Sequence, residues 1–348
     1  MDGHGRRSSA PIAFPSRPPE QEIRPHPDDF KPEPASLNHA DLSMTTLVRA
    51  GPTPWRDLSD CDEAATTQSQ DMRPALLFLL LASTAMLMAE PFEVEVRTRP
   101  KDVARTEPVL ARTRVEPKRT AAIVCDMWDT HTCPAAAARV AEMAPRMDRV
   151  LRELRQRGVL VIHCPSDTMK FYEGSPGRKL AQSAPQAPTK TPLQRWIRLM
   201  PEREGALPID DSDGGCDGPR TWKPGDPYPW TRQIAAIAIE PGDAVTDSRE
   251  AYDLMVSQGR DTAIIMGVHL NMCVLGRPFG IRQLVSQGLS TFLMRDLTDT
   301  MYNPERAPKV SHFEGTRLMV EHVERHWCPT LTSADILGGS PFRFAADR

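Results

Sequence analysis

A three-layer α/β/α fold around a doubly wound, six-stranded, mostly parallel sheet is the class that residues 118–336 predict, and three observations carry that reading. Short apolar runs recur at 120–126, 159–164 and 263–268, the signature of strands buried on both faces of a parallel sheet. Stretches with apolar residues at helical spacing separate them, as in Met147, Val150, Leu151 and Leu154 ahead of Gly158. The runs also deliver Asp126 at the end of one and Cys273 shortly after another, and the carboxyl ends of parallel strands are where open α/β sheets gather ligands.

Taken in order, the first strand is 120–126, and Pro145 opens a helix to Arg157. The second strand is 159–164. Residues 185–230, rich in Pro, Gly, Asp and Trp, form a long insertion whose Trp222, Tyr228 and Trp230 pack it over the site as a lid or a dimer arm. A third strand is expected at 234–239, a fourth at 263–268, a fifth at 291–294 and a short last one at 330–332. The segment beginning at His312 is a helix with Leu318, Val320 and Val323 inward. Residues 90–117 alternate charged and apolar groups between prolines and read as an extended arm; 337–348 form a carboxyl-terminal tail.

The chain of 348 residues, with 40% hydrophobic content and a net charge of −3, suffices for one substantial domain plus extra segments. That balance gives no electrostatic reason to expect nucleic acid as a partner. Residues 1–71 lack any sustained apolar period and read as disordered, or as the product of an over-extended start site. Met72, Arg73, the apolar core Ala75 to Met88 and Ala89 together have the layout of a secretory signal peptide, so a secreted or periplasmic protein starting near Met72 is expected. The apolar run is short for a stable membrane span, which needs about 20 residues. Export would permit disulfides, and Cys216, in a polar loop, is the cysteine best placed to find a partner; Cys125 and Cys164 read as packed strand residues.

Cys273 follows the apolar run at 263–268 at the start of a helix-like stretch, where backbone N–H groups favour the reactive thiolate. Asp126 ends another strand and could take the thiol proton. A buried structural thiol and a capping carboxylate are the plain alternatives for the two residues taken singly.

The stretches "IVCDMWDTH", "GVLVIHCPSDT" and "DTAIIMGVHLNMCV", followed by "GLSTFLMRDLTDT", resemble the isochorismatase-like cysteine hydrolases, the superfamily of nicotinamidases and N-carbamoyl amidohydrolases, over residues 118–336. "GVHLNMCV" is similar to that family's nucleophile turn. The resemblance implies Cys273 as nucleophile, Asp126 as general base, and an oxyanion hole from the N–H groups of His269 and Cys273 beside a cis peptide between Val268 and His269. It also implies a catalytic Lys on the third strand. Counting back places that position at or near Glu240, and no Lys lies between Lys223 and Lys309. Three outcomes stay open: Lys170, Lys179 or Lys223 enters the site, Glu240 and His269 support different chemistry, or activity is lost.

Trp128, Asp167, Lys170, Tyr172 and Asn271 are the candidate substrate contacts. The loop after the second strand has Asp167 but no following His, so no metal and no cofactor are expected. The function implied is a secreted cysteine hydrolase acting on an amide or related C–N bond of a small molecule. The rivals are a noncatalytic binding or assembly protein on the same scaffold, and a Cys-independent isochorismate-type ether hydrolase. Relatives are often oligomeric, which leaves a homo-oligomer open.

Overall fold

The computed structural model describes residues 90–347 apart from 103, 221 and 224, so the expectations for residues 1–89 lie outside the described residues. Eight strands form one sheet in the order β2-β1-β8-β7-β6-β3-β4-β5. They are β1 (Phe92–Thr98), β2 (Val109–Val115), β3 (Thr120–Cys125), β4 (Leu160–Cys164), β5 (Ala244–Val245), β6 (Thr262–Val268), β7 (Ser290–Asp299) and β8 (Thr330–Leu331). The strands from β3 to β8 pair in parallel, the number expected, and five of the six lie where the sequence places them. The two additional strands are the hairpin β1–β2, antiparallel within itself and, through β1, to β8. The stretch expected to be an arm is therefore part of the sheet: Val94 and Val96 turn inward, while the charged residues between them stay out.

Alternate residues of each central strand feed two separate cores, which makes the three layers. On one face Ile123, Ile162 and Ile265 pack with α5 (Glu250–Ser257), α7 (Ile281–Ser286) and α8 (His312–His326). On the other, Val124, Val161 and Met266 pack with α1 (Pro134–Gln156) and α9 (Ala334–Leu337). The remaining helices are single turns or little more: α2 (Met169–Tyr172), α3 (Pro176–Gln182), α4 (Pro201–Glu204) and α6 (Cys273–Gly276). Among the described residues, no helix is long and apolar enough to cross a membrane.

Two expectations are corrected. The first helix begins at Pro134, not Pro145, which lies inside it. Pro145 is exposed, as is Ala141, whose carbonyl loses its usual donor, so water can serve that group. The third parallel strand is Ala244–Val245; the apolar run at 234–239 is irregular chain that descends past α1, where Ala238 N–H donates to Asp148.

Candidate active site

β3 and β6 lie side by side, and their carboxyl ends deliver the two groups that matter. Asp126 follows β3 with φ of 48°, a conformation Asp tolerates better than most residues, and its Oδ1 accepts the Ser166 N–H at 2.7 Å. Beside it, Gly267 has φ of 112°, and a Cβ there would sit 2.0 Å from the Cys125 carbonyl oxygen, so only glycine lets the two strand ends approach this closely. The Val268–His269 peptide is cis, as the resemblance implied. The chain then turns through Leu270, whose N–H donates to the Asp299 carbonyl at 2.7 Å, and α6 opens on Cys273. Among the described hydrogen bonds, neither the His269 nor the Cys273 N–H is committed to an acceptor.

Asp126 is fully buried, and Cys273 is buried with 8% of its surface exposed. Oδ2 of Asp126 has no closed hydrogen bond and faces the thiol. Arg277 Nε lies 3.9 Å from that oxygen. Burial pushes the Cys273 thiol well above its ordinary range; Asp126 adds to the rise and Arg277 opposes it. Burial likewise raises the Asp126 carboxyl, again opposed by Arg277, by the nearby Cys273 thiol and by the Ser166 N–H. Burial thus favours the protonated form of both groups, with a cation alongside that opposes it.

That cation is the residue the sequence reading missed. Arg277 stands four residues after Cys273, where one helical turn brings side chains together, so the spacing Cys-x-x-x-Arg was the available signal. Its guanidinium is held charged even though burial opposes this, because Cys273, Asp126 and Asp167 surround it, and it donates to Asp167 at 3.0 Å. Trp196 stacks against it, 5.6 Å from ring centroid to guanidinium.

Glu240 is not in this group. It occupies an exposed turn before β5, at the amino end of the sheet, where its N–H donates to Asp243. The residue at the carboxyl end of β5 that reaches the site is Asp247, which accepts the Asp167 N–H at 3.1 Å. The seven-residue offset arose because 234–239 was taken for the strand. Lys170, Lys179 and Lys223 are all exposed, and none supplies the missing ammonium.

The candidate substrate contacts divide. Asp167 lines a cavity of about 260 Å³ together with Gln194, Asp247, Arg249 and Arg277. Trp128 is a wall: its Nε1 donates to the Ser166 carbonyl, and its ring stacks 4.3 Å from Trp230. The Tyr172 hydroxyl is spent accepting the Gln233 N–H, and Asn271 is spent on Asp211 and both backbone groups of Met301. Those two residues hold the site together instead of facing a ligand. The His269 side chain packs edge-on to His131, 4.9 Å between centroids, and its burial pushes the imidazole well below its ordinary pKa. Among the described residues, no group of three or more His, Cys, Asp or Glu is arranged to hold a metal ion.

The insertion is fastened to the site from several directions. Cys216 finds its partner in Cys133, at the start of α1. Arg139 of α1 bridges Asp217 of the insertion and Asp299 of β7, both at 2.7 Å, and His312 donates to Asp299 at 2.8 Å. Ile197 N–H donates to the Gly276 carbonyl at 2.8 Å, which places the insertion directly on the helix that opens with Cys273. Glu204 is the deepest anchor, receiving Arg282, His322, Trp327 and the Met200 N–H. Burial alone would raise its carboxyl, but His322, Arg282, Met200 and Trp327 outweigh burial and bring it down to about 2.

Because that folded pKa lies below the unfolded one, the Glu204 contribution is complete above about pH 5 and is lost as pH falls toward 2. Glu204→Ala, which strands Arg282 without its partner, is expected to cost about 3–5 kcal/mol in urea unfolding at pH 7. The deficit should shrink as unfolding is repeated at lower pH; a pH-independent deficit would count against the ion network as its source.

Two sequence comparisons, one with protein-family models and one with curated proteins, return no match. Solved structures do match. The neighbours include cysteine hydrolases and isochorismatases. A cysteine hydrolase from Pseudomonas syringae pv. phaseolicola 1448A is 18% identical, covering 64% of this chain and 92% of its own, at a TM-score of 0.40. An isochorismatase from Pseudomonas putida KT2440 is 11% identical over 64% of this chain and 92% of its own, at a TM-score of 0.40. The MAR1 ribonuclease from Caenorhabditis elegans is 12% identical over 66% and 86%, at a TM-score of 0.34. These names span different chemistries, so the reaction must be argued from the site.

Proposed function

We propose that this chain is a cysteine hydrolase of the isochorismatase-like type that cleaves an amide or related C–N bond of a small molecule, with Arg277 in the role of the absent Lys. The observation that carries the reading is the meeting of Asp126, Cys273 and Arg277 beside two uncommitted N–H groups. Asp126 takes the thiol proton as sulfur attacks the carbonyl carbon, and Arg277 offsets the negative charge that develops on the pair. The N–H groups of His269 and Cys273 receive the oxyanion. Protonated Asp126 then gives its proton to the departing nitrogen, and water releases the thioester. The Cys133–Cys216 disulfide supports an exported protein, since such bonds persist in oxidising compartments.

The test is mass spectrometry of the protein quenched during turnover of a panel of small primary amides and N-carbamoyl compounds. An acyl adduct confined to the peptide bearing Cys273, absent from Cys273→Ala, is the expected result. Hydrolysis that survives Cys273→Ala would instead favour the Cys-independent ether or amide chemistry, and inertness toward the whole panel would favour the binding scaffold.

A further inference from the structure

A second cavity, of about 170 Å³, lies between β7, α8 and the carboxyl-terminal tail. Arg97 and Arg295 line one side of it; Phe313 and Thr316 of α8 and Phe342 and Phe344 of the tail line much of the remainder, together with two carboxylates, Asp296 and Asp347, the latter paired with Arg317 and Arg343. The two cations differ in their partners. Arg97 is spent on Glu324, 2.7 Å away. Arg295 is half-buried, its guanidinium hydrogen-bonds Thr330 Oγ1 at 3.2 Å, and among the described residues no carboxylate comes within ion-pair distance of it.

The acids nearby are held by other donors. Glu324 accepts from Arg97, Arg99 and Thr330; Asp296 accepts from both groups of Ser333 and from the Phe342 N–H. Burial, with Arg97 adding to it, lowers the pKa of Arg295, although Glu324, Asp296 and Asp335 oppose the fall from a distance. The Thr316 hydroxyl is also buried without a partner. Across the cavity the three phenylalanines pack on one another, Phe313 and Phe342 each about 5 Å from Phe344 between ring centroids.

We propose that this cavity binds a small organic anion, a carboxylate carried on an apolar body the size of one aromatic ring, with the carboxylate on Arg295 and the body against Phe313, Phe342 and Phe344. A guanidinium short of counter-charge is costly in a half-buried place, and a carboxylate arriving in the same plane supplies two charge-assisted hydrogen bonds. The rings supply edge and face contacts that an inorganic anion would leave unused.

The test is calorimetric titration of the full chain with benzoate, benzyl alcohol and inorganic phosphate as probes. Benzoate should bind saturably and at least tenfold more tightly than either of the others. Arg295→Gln should weaken benzoate at least tenfold, while its ligand-free melting temperature stays level or rises because a buried uncompensated charge has been removed. Arg277→Met, which alters the other cavity, the one lined by Asp167 and Asp247, should bind benzoate as the parent does. The proposal is overturned by unsaturable benzoate, by equal affinity for benzyl alcohol or phosphate, by indifference to Arg295→Gln, by a lower melting temperature in that variant, or by loss of benzoate in Arg277→Met.

Discussion

Arg277→Met is expected to slow amide hydrolysis by about 100- to 1000-fold, the scale for removing one preorganised charge from a reacting centre. The physical reason lies in the sign of each neighbour's effect on Cys273. Burial and Asp126 both raise the thiol pKa, and Arg277 is the charge that lowers it. Without the guanidinium the thiolate becomes rarer at every working pH, so the rate profile for iodoacetamide labelling should move to higher pH by about one unit or more. Arg277→Lys should restore much of the labelling shift while leaving binding weaker, because an ammonium cannot fork between Asp167 and the site as the guanidinium does. An unmoved labelling profile in Arg277→Met would remove Arg277 from the chemistry.

Asp126→Asn should lower turnover by about 100- to 10,000-fold, the range for loss of a positioned general base, yet make Cys273 easier to alkylate. The opposite signs follow from the carboxylate's two effects: it accepts the proton during attack, and its charge disfavours the thiolate at rest. Asn keeps an oxygen for the Ser166 N–H, so the turn should stand in the variant. The two substitutions thus separate the groups around the sulfur. Arg277→Met loses both labelling and turnover, whereas Asp126→Asn gains one and loses the other. Slower labelling in Asp126→Asn would mean that the carboxylate does not face the sulfur in solution.

Much of the centre of this molecule could be read from its residues because β3, β4 and β6 are buried on both faces and so are written as unbroken apolar runs. The turn from Val268 to Cys273 was legible for a different reason: it is a local motif whose geometry is set by adjacent residues. What escaped was whatever tertiary contacts decide. β5 is two residues long and too short to leave a periodic mark, while the apolar 234–239 run imitated it. Pro145 hid the first half of α1, because its freed carbonyl is answered by solvent instead of by sequence. β2 exposes nearly every side chain, so its strand character comes from pairing with β1 alone. Arg277 was overlooked because the cation was sought upstream on a strand, and the fold supplies it from one turn downstream.

The pairing of Arg97 in β1 with Thr330 in β8 joins the beginning of the described chain to its end. A ribosome delivers the hairpin long before it delivers the strand that receives it, so the sheet stays open on that side until β8 has been made. Contacts so distant in sequence are slow to form. During the wait, the Glu and Arg residues of the hairpin discourage it from pairing with other chains, as charged edge strands do. Closure of the sheet on that side is thereby timed to a segment made long after the hairpin itself.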